Sequence, residues 1–344
     1  MHARIEETDL DQDRAYFETD PAIDLIRTSI PEGKPDWTEN IAWTMYDPTA
    51  NVSIFGHLGR LQPDRRIWEG FSLLYLPDGS AYASRSLGVS LSEARNGDYH
   101  YQPLIPGKLW RYSFNGVAQR VKPEDLQRRA IADELFEEAN YDLLFEAIEP
   151  VFNMHKSDLA SERMHLEHAG RMRGVVKIGS KVFDIDTTAY RDHSMSQRTF
   201  TTLDSETWAN AAFPSGRVFS LLEVTRGDRK ILEGHIYENG SMRLAHPIEI
   251  PSLADLAGNP GSGVIRLESD GKRHDIEWEI VKAPYVPFQL LRPVGMRAGV
   301  DHADKTTCVV LECPAKFTWD GEIGHGWLER TRPLSSLTVD AQTT

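Results

Sequence analysis

Six Asn-Gly or Asp-Gly dipeptides punctuate the chain, at 78–79, 96–97, 115–116, 239–240, 270–271 and 320–321. Both residues of such a pair accept positive φ, as the two-residue type I′ hairpin requires, so each predicts two antiparallel strands joined back to back. The flanks agree. In "GFSLLYLPDGSAYASRS" Phe71, Leu73 and Tyr75 fall on one face, and in "VIRLESDGKRHDIEWEIV" Ile276, Trp278 and Ile280 oppose Asp275, Glu277 and Glu279. "KLWRYSFNGVAQRV" and "ILEGHIYENGSMRL" read the same way. Half-buried antiparallel strands produce this alternation. Short strands broken by regular turns imply a sandwich or barrel in each half of the chain.

Helical periodicity is scarce. The best candidate is "KPEDLQRRAIADELFEEA", 122–139, with Pro123 and two acids in its first turn. It precedes a strand-like "YDLLFEAIEPVF", and the polar "NMHKSDLASE" then predicts a crossing between two β-rich halves. The stretch 251–263 reads as a long loop. The proline-punctuated first 35 residues read as an arm or wrapping segment outside any core.

Bulk properties narrow the function. A chain of 344 residues, 40% hydrophobic and 26% charged, can bury a sizeable core. Its net charge of −14 argues against a nucleic-acid partner and against an anionic membrane surface. Cys308 and Cys313 are the two cysteines, too few for a disulfide framework, so a cytoplasmic protein is expected. The first residues lack an apolar leader core, and no run of ~18 apolar residues predicts membrane insertion.

Standard site motifs are missing. His165 and His168 in "MHLEHAGRM" do not form a zincin pattern and, on a strand, would face opposite sides, so no metal is expected and solvated histidines are the plainer reading. "GNPGSG" lacks the strand and helix of a nucleotide loop, and no G-x-S-x-G elbow occurs.

What stands out is "AYRDHSMSQRTF", 189–200, which follows the strand-like "VVKIGSKVFDID". Asp184 and Asp186 share one face of that strand. If the strand continues, Arg191 and His193 project one way and Asp192 the other. An aspartate beside an arginine stays ionised, and a carboxylate fixes the tautomer and basicity of a neighbouring histidine. Such a set is suited to general acid–base catalysis. It is equally suited to a buried ion-pair hub that pins two barrels together.

"YRDHSMSQR" resembles the R-D-H-S-W-G-x-R element of the tandem lipocalin-like family that includes carotenoid 1,2-hydratase (hydroxyneurosporene synthase) and the AttH-like proteins. "GRMRGVVKIGSKVFDID", "GRVFSLLEV", "EGHIYENG" and "FTWDGEIGHGWLER" fit the same pattern, and the resemblance spans roughly residues 35–335. Met195 and Ser196 stand where the family usually has Trp-Gly, replacing a flat indole wall with a flexible thioether. The resemblance implies an all-β chain of two packed lipocalin-like antiparallel β-barrels with few short helices. The expected division is an arm over 1–35, a first barrel over 36–155, a second over 156–335 and a tail over 336–344. Relatives include hydratases, isomerases, terpene cyclases and pericyclases acting on hydrophobic substrates, generally without a cofactor.

The expectation is therefore a cofactor-independent lyase or isomerase acting on a hydrophobic small molecule. It would hydrate or dehydrate an isoprenoid-like alkene, or eliminate from an aromatic compound. Asp192 or Asp184 would be the acid, His193 its orienting group or conjugate base, and Arg191 and Arg198 would hold carboxylates or a polar end of the substrate. Met195, Tyr190, Trp43, Trp68, Tyr75 and His325 are the expected binding residues, the aromatics lining a barrel mouth. The competing readings are aromatics that simply fill barrel cores, a solvated turn histidine at 325, and a non-catalytic carrier of an apolar ligand. A homodimer is left open.

Overall fold

The structure, a computed structural model, describes residues 16–28, 31–34, 36–60, 64–129, 135–197, 202–256, 259–282, 286–291 and 295–337. It is all-β. The first sheet holds β1 (Trp37–Asp47), β2 (Val52–Arg60), β3 (Ile67–Tyr75), β4 (Ala81–Val89), β5 (Ala94–Arg95), β6 (Tyr99–Ile105), β7 (Leu109–Val121), β8 (Phe136–Ala147), β9 (Phe152–Asn153), β10 (Met164–Ile178) and β11 (Lys181–Gln197). The second holds β12 (Ser205–Ala212), β13 (Val218–Arg226), β14 (Arg229–Glu238), β15 (Ser241–Leu244), β16 (His246–Glu249), β17 (Ser262–Ser269), β18 (Lys272–Ile280), β19 (Val286–Leu291), β20 (Gly295–Ala298), β21 (Cys308–Trp319) and β22 (Glu322–Pro333). Neighbouring strands pair antiparallel throughout both sheets.

Pairing between β4 and β7 closes the first sheet into a barrel. The second curls until Ser269 at the end of β17 donates to Leu244 O of β15 at 2.6 Å. Turn chemistry fixes the hairpins: Asn239-Gly240, Asp270-Gly271 and Asp320-Gly321 all carry positive φ at both residues, the type I′ geometry. Asn115-Gly116 departs from expectation, because it sits inside β7, where Gly116 pairs with Ala139.

Two further expectations are corrected. The predicted helix shortens to one turn, Pro123–Leu126. From Phe136 onward, alternating burial of Ala139, Tyr141, Leu143 and Phe145 makes a strand, so a period of two overrides local helix propensity. The division near residue 155 also moves. The long hairpin β10–β11, expected in the second barrel, lies between β1 and β8 in the first. By pairing, the first barrel runs from Trp37 to Gln197 and the second from Ser205 to Pro333. Which sheet a hairpin joins is set by long-range pairing, and local hairpin signals carry no information about that.

Both barrel interiors are filled. Trp43, Trp68, Trp110, Tyr99, Tyr101 and Tyr141 occupy the first, and Phe219, Phe317, Trp319 and Leu328 the second. A third apolar cluster joins the barrels, with Phe55, Phe71, Leu73 and Tyr75 meeting Phe288, Trp208, Leu222 and Trp327. This explains why β2 is buried along its whole length: one face looks into its own barrel, the other at the second barrel. Cys308 and Cys313 are both buried on β21.

The N-terminal segment is more than a wrapping arm. At the 3₁₀ turn Pro21–Asp24, Ile23 and Asp24 are fully buried, and Asp24 reaches into the first barrel.

Candidate functional site

The site follows from strand alternation along β11. Tyr190, Asp192 and Ser194 face outward toward the second barrel, while Arg191, His193 and Met195 face inward, and on β10 His165 and Glu167 face out while His168 faces in.

The inward set is sealed. Arg191 donates through both terminal nitrogens to Asp24 at 2.9 Å each, and its guanidinium lies 4.1 Å over the Trp110 ring. Trp110 Nε1 and Gly107 N donate to the same carboxylate, at 2.8 and 3.1 Å. His193 bridges Asp24, 3.2 Å away, and Glu39, 3.0 Å away, and Glu39 lies 3.2 Å from Arg60 Nε. Burial raises the Asp24 carboxyl, but Arg191 and His193 outweigh it and hold it well below the usual carboxylate range. Burial disfavours the His193 imidazolium, yet Asp24 and Glu39 raise its pKa overall. Arg191 at 1% and His193 at 0% side-chain exposure are shut off from solvent and do not line the cavity between the barrels. This is an ion-pair hub, built within one barrel and completed by the N-terminal segment.

The outward set opens on a cavity of about 1110 Å³ between the barrels. Asp192, 17% exposed, accepts from Ala42 N at 3.1 Å and lies 3.4 Å from His165 Nε2. His165, 19% exposed, is also 3.1 Å from Glu167. Burial opposes its charge, but these two carboxylates push its pKa up to about 10, so it is an imidazolium at neutral pH. Glu167 is fixed across the seam, accepting from Tyr190 at 3.1 Å and from Ser220 of the second barrel at 2.7 Å. His155, a neighbour of His165, is driven down to about 3 by burial and by the charges of His165 and Arg163, so it is neutral.

The opposite wall carries a second carboxyl pair. Glu312 of β21 and Glu329 of β22 are direct cross-strand partners, and both line the cavity. Two carboxylates side by side in a poorly hydrated seam cannot both ionise at neutral pH. Burial pushes Glu312 up to about 8; the Trp327 indole N–H and Glu329 pull against that rise, while the charges of Asp192 and Glu206 add to it. Glu329 is raised well above the carboxylate range by burial, by Glu312 and by Glu206. A carboxylic acid that keeps its proton at neutral pH therefore faces an aspartate–imidazolium pair, with apolar wall supplied by Phe55, Trp208, Leu222, Phe288 and Met296.

The expected site residues thus separate. Asp192 is in the cavity. Tyr190 stands behind it, bonded to Glu167. Asp184 is exposed on the outer surface of β11, away from the cavity. Trp43 and Trp68 are core of the first barrel, and Met195 packs with Trp37, Met164 and Leu166. Tyr75 lies in the apolar seam. His325 meets the Tyr46 ring at 5.5 Å in a separate small recess. Arg198 lies outside the described residues. The aromatics expected to line a barrel mouth mostly fill barrel cores, and the cavity is walled by the outer faces of both sheets. Sequence reading missed Glu167, Glu312 and Glu329 and took His165 for a solvated residue. The available signal was a lone acid inside the apolar run "CVVLEC" and the alternation of Trp327, Glu329 and Thr331. Among the described residues, no group of three or more His, Cys, Asp or Glu side chains converges to hold a metal.

Solved structures share this fold. An AttH candidate from Nitrosomonas europaea aligns with a TM-score of 0.55 at 13% identity, over 90% of this chain and 99% of that one. CghA aligns with a TM-score of 0.52 at 10% identity, over 90% of this chain and 94% of that one. The CghA structure with Sch210972 gives 0.51 at 9% identity, over 86% and 88%. At these identities the likeness is one of architecture. No curated protein matches the sequence. A family model described as a domain of unknown function, DUF7064, matches residues 22–334, a span that includes the inserted Asp24, both sheets and every residue of the cavity wall, and the chain belongs to the DUF7064 family.

Proposed function

We propose that this protein is a cofactor-independent lyase or isomerase that moves protons on a hydrophobic small molecule held between the barrels. The observation that carries the reading is one cavity lined by Asp192 from the first sheet and by the cross-strand carboxyl pair Glu312 and Glu329 from the second. Glu329, with Glu312 behind it, gives its proton to one sp² carbon. Asp192 takes a proton from the carbon beyond the resulting cation, which shifts the double bond, or from a water adding to that cation, which hydrates it. In dehydration or elimination Glu329 gives its proton to the departing oxygen, which leaves as water or an alcohol, and Asp192 takes a proton from the neighbouring carbon as the double bond forms. The His165 imidazolium balances the Asp192 charge and orients it. The apolar walls exclude bulk water, so the neutral acid stays a donor and a developing cation meets the ring of Trp208.

Arg191 and His193 have a positioning role here. They hold the strand that presents Asp192. A positioned acid or base contributes about 10²–10⁴-fold in rate. The test begins by identifying a copurified ligand by mass spectrometry and assaying the wild type on it and on its alkene or alcohol relatives. Glu329→Gln and Asp192→Asn should each lower turnover by about 10²-fold or more with little change in ligand binding. Ligand bound by the wild type but never converted would make the protein a carrier. Full activity in both variants would move the chemistry elsewhere.

A further inference from the structure

Charge in the cavity is sorted by place. The carboxyl groups of Glu167, Asp192, Glu206, Glu312 and Glu329 come from strand faces, with His165 among them. Lys34, Arg163, Arg226 and Arg229 come from loops and strand ends, where Glu162 is the one loop carboxylate in the lining and contacts Lys34. Arg163 immediately precedes β10, whose first residue pairs with Met195 near the end of β11. Arg226 and Arg229 face each other at the tip of the β13–β14 hairpin, and Arg226 donates to Thr202 at 3.1 Å. Thr202 and Gln197 flank the link between the barrels and both line the cavity. The ends of β10, β11, β13 and β14 therefore bring Arg163 and Arg229 to one rim.

Neither arginine is explained by folding. Both are exposed, and among the described residues neither guanidinium is in an ion pair, although the Glu233 carboxyl lies near enough to Arg163 to be lowered by its charge; nearby Lys34 contacts Glu162. In a chain with net charge −14, carboxylates would be the default occupants of a rim. Guanidinium groups favour an incoming anion, which they grip bidentately. The acidic inner wall sets how far such an anion can go. Asp192 repels a negative head group, so it must stop at the rim, while an apolar body continues along Leu222, Val224, Ile231 and Phe288.

We propose that the ligand is an amphipathic anion, with a carboxylate or phosphate head held by Arg163 and Arg229 and an apolar body in the seam. This rests on the proposed function only in taking the seam as the reaction chamber. It adds a head-group subsite and a binding polarity: head at the rim, reacting carbons inward at Asp192 and Glu329.

Dodecanoate, dodecyl phosphate, dodecanol and dodecylammonium, each below its micelle concentration, are titrated against the full chain by calorimetry. The wild type is compared with the Arg163→Gln/Arg229→Gln double variant, which alters only exposed side chains and should fold normally. At least one of the two anions should bind about tenfold tighter than dodecanol, and whichever leads identifies the head group. That advantage should vanish in the double variant and shrink in high salt. Dodecanol binding as well as both anions, an anion preference that survives in the double variant, or dodecylammonium binding tightest would each overturn the proposal while leaving the acid–base reading standing. No binding by any of the four would also overturn this proposal, while the acid–base reading is judged by Glu329→Gln and Asp192→Asn.

Discussion

Replacing Glu312 with glutamine keeps an acceptor for the Trp327 indole and removes the titrating proton. In the wild type, burial lifts this carboxyl from 4.5 to about 8. The folded state therefore prefers the proton more than the unfolded chain does. The associated stability is complete below the unfolded pKa and is lost as pH rises through about 8. Each pH unit between those limits removes about 1.4 kcal/mol. At pH 6 the wild type has lost about 2 kcal/mol, and by pH 9 the full shift, about 5 kcal/mol. The glutamine side chain has nothing to titrate. The stability of Glu312→Gln relative to wild type should thus improve by about 3 kcal/mol from pH 6 to pH 9. Urea unfolding of both proteins at matched ionic strength measures this, starting at pH 6 because the sequence pI is about 5.3. His165, raised to about 10, also loses stability over this range, but equally in both proteins, so it drops out of the difference, whereas Glu329 is relieved of the Glu312 charge in the variant and moves the difference in the same direction. A difference that stays flat from pH 6 to pH 9 would refute the claim that Glu312 keeps its proton at neutral pH.

Three other outcomes follow from the same physics. Asp24→Asn should destabilise the protein by about 3–5 kcal/mol in urea, because it strands the buried Arg191 charge, and this loss should fade at strongly acidic pH, where the wild-type carboxylate is itself protonated. Trp327→Phe removes the N–H that lowers Glu312, so the carboxyl titration followed by infrared difference spectroscopy should shift above its wild-type midpoint of about 8; an unchanged midpoint would exclude that role. Gly70→Ala should lower stability by about 1–3 kcal/mol in thermal or urea melts, since a Cβ there would sit 2.1 Å from the Tyr99 ring, deep in the first barrel.

Hairpins were legible in the sequence because their signals are local. Asp270-Gly271 and the alternation around Trp278 determine turn, strands and faces within a few residues. The opposed faces of Arg191 and Asp192 were legible for the same reason. What lay behind each face was not, since Asp24 is 167 residues from Arg191 and Glu312 comes from the other sheet. The imidazole beside Asp192 was read as His193, its chain neighbour, when strand pairing supplies His165, opposite Ser194, two residues on and on the same face as Asp192. Glu312 escaped notice because a carboxylate inside an apolar strand has no motif around it; its meaning comes from Glu329 across the ladder.

The insertion of Asp24 has a consequence for how the chain is made. A nascent chain cannot complete the first barrel until β11 has emerged, because that strand fills the gap between β1 and β10 and carries the arginine that neutralises Asp24. More than half of the polypeptide must leave the ribosome before the buried charge of Asp24 finds its partner. Any fragment that stops short of Gln197 should therefore depend on chaperones or aggregate.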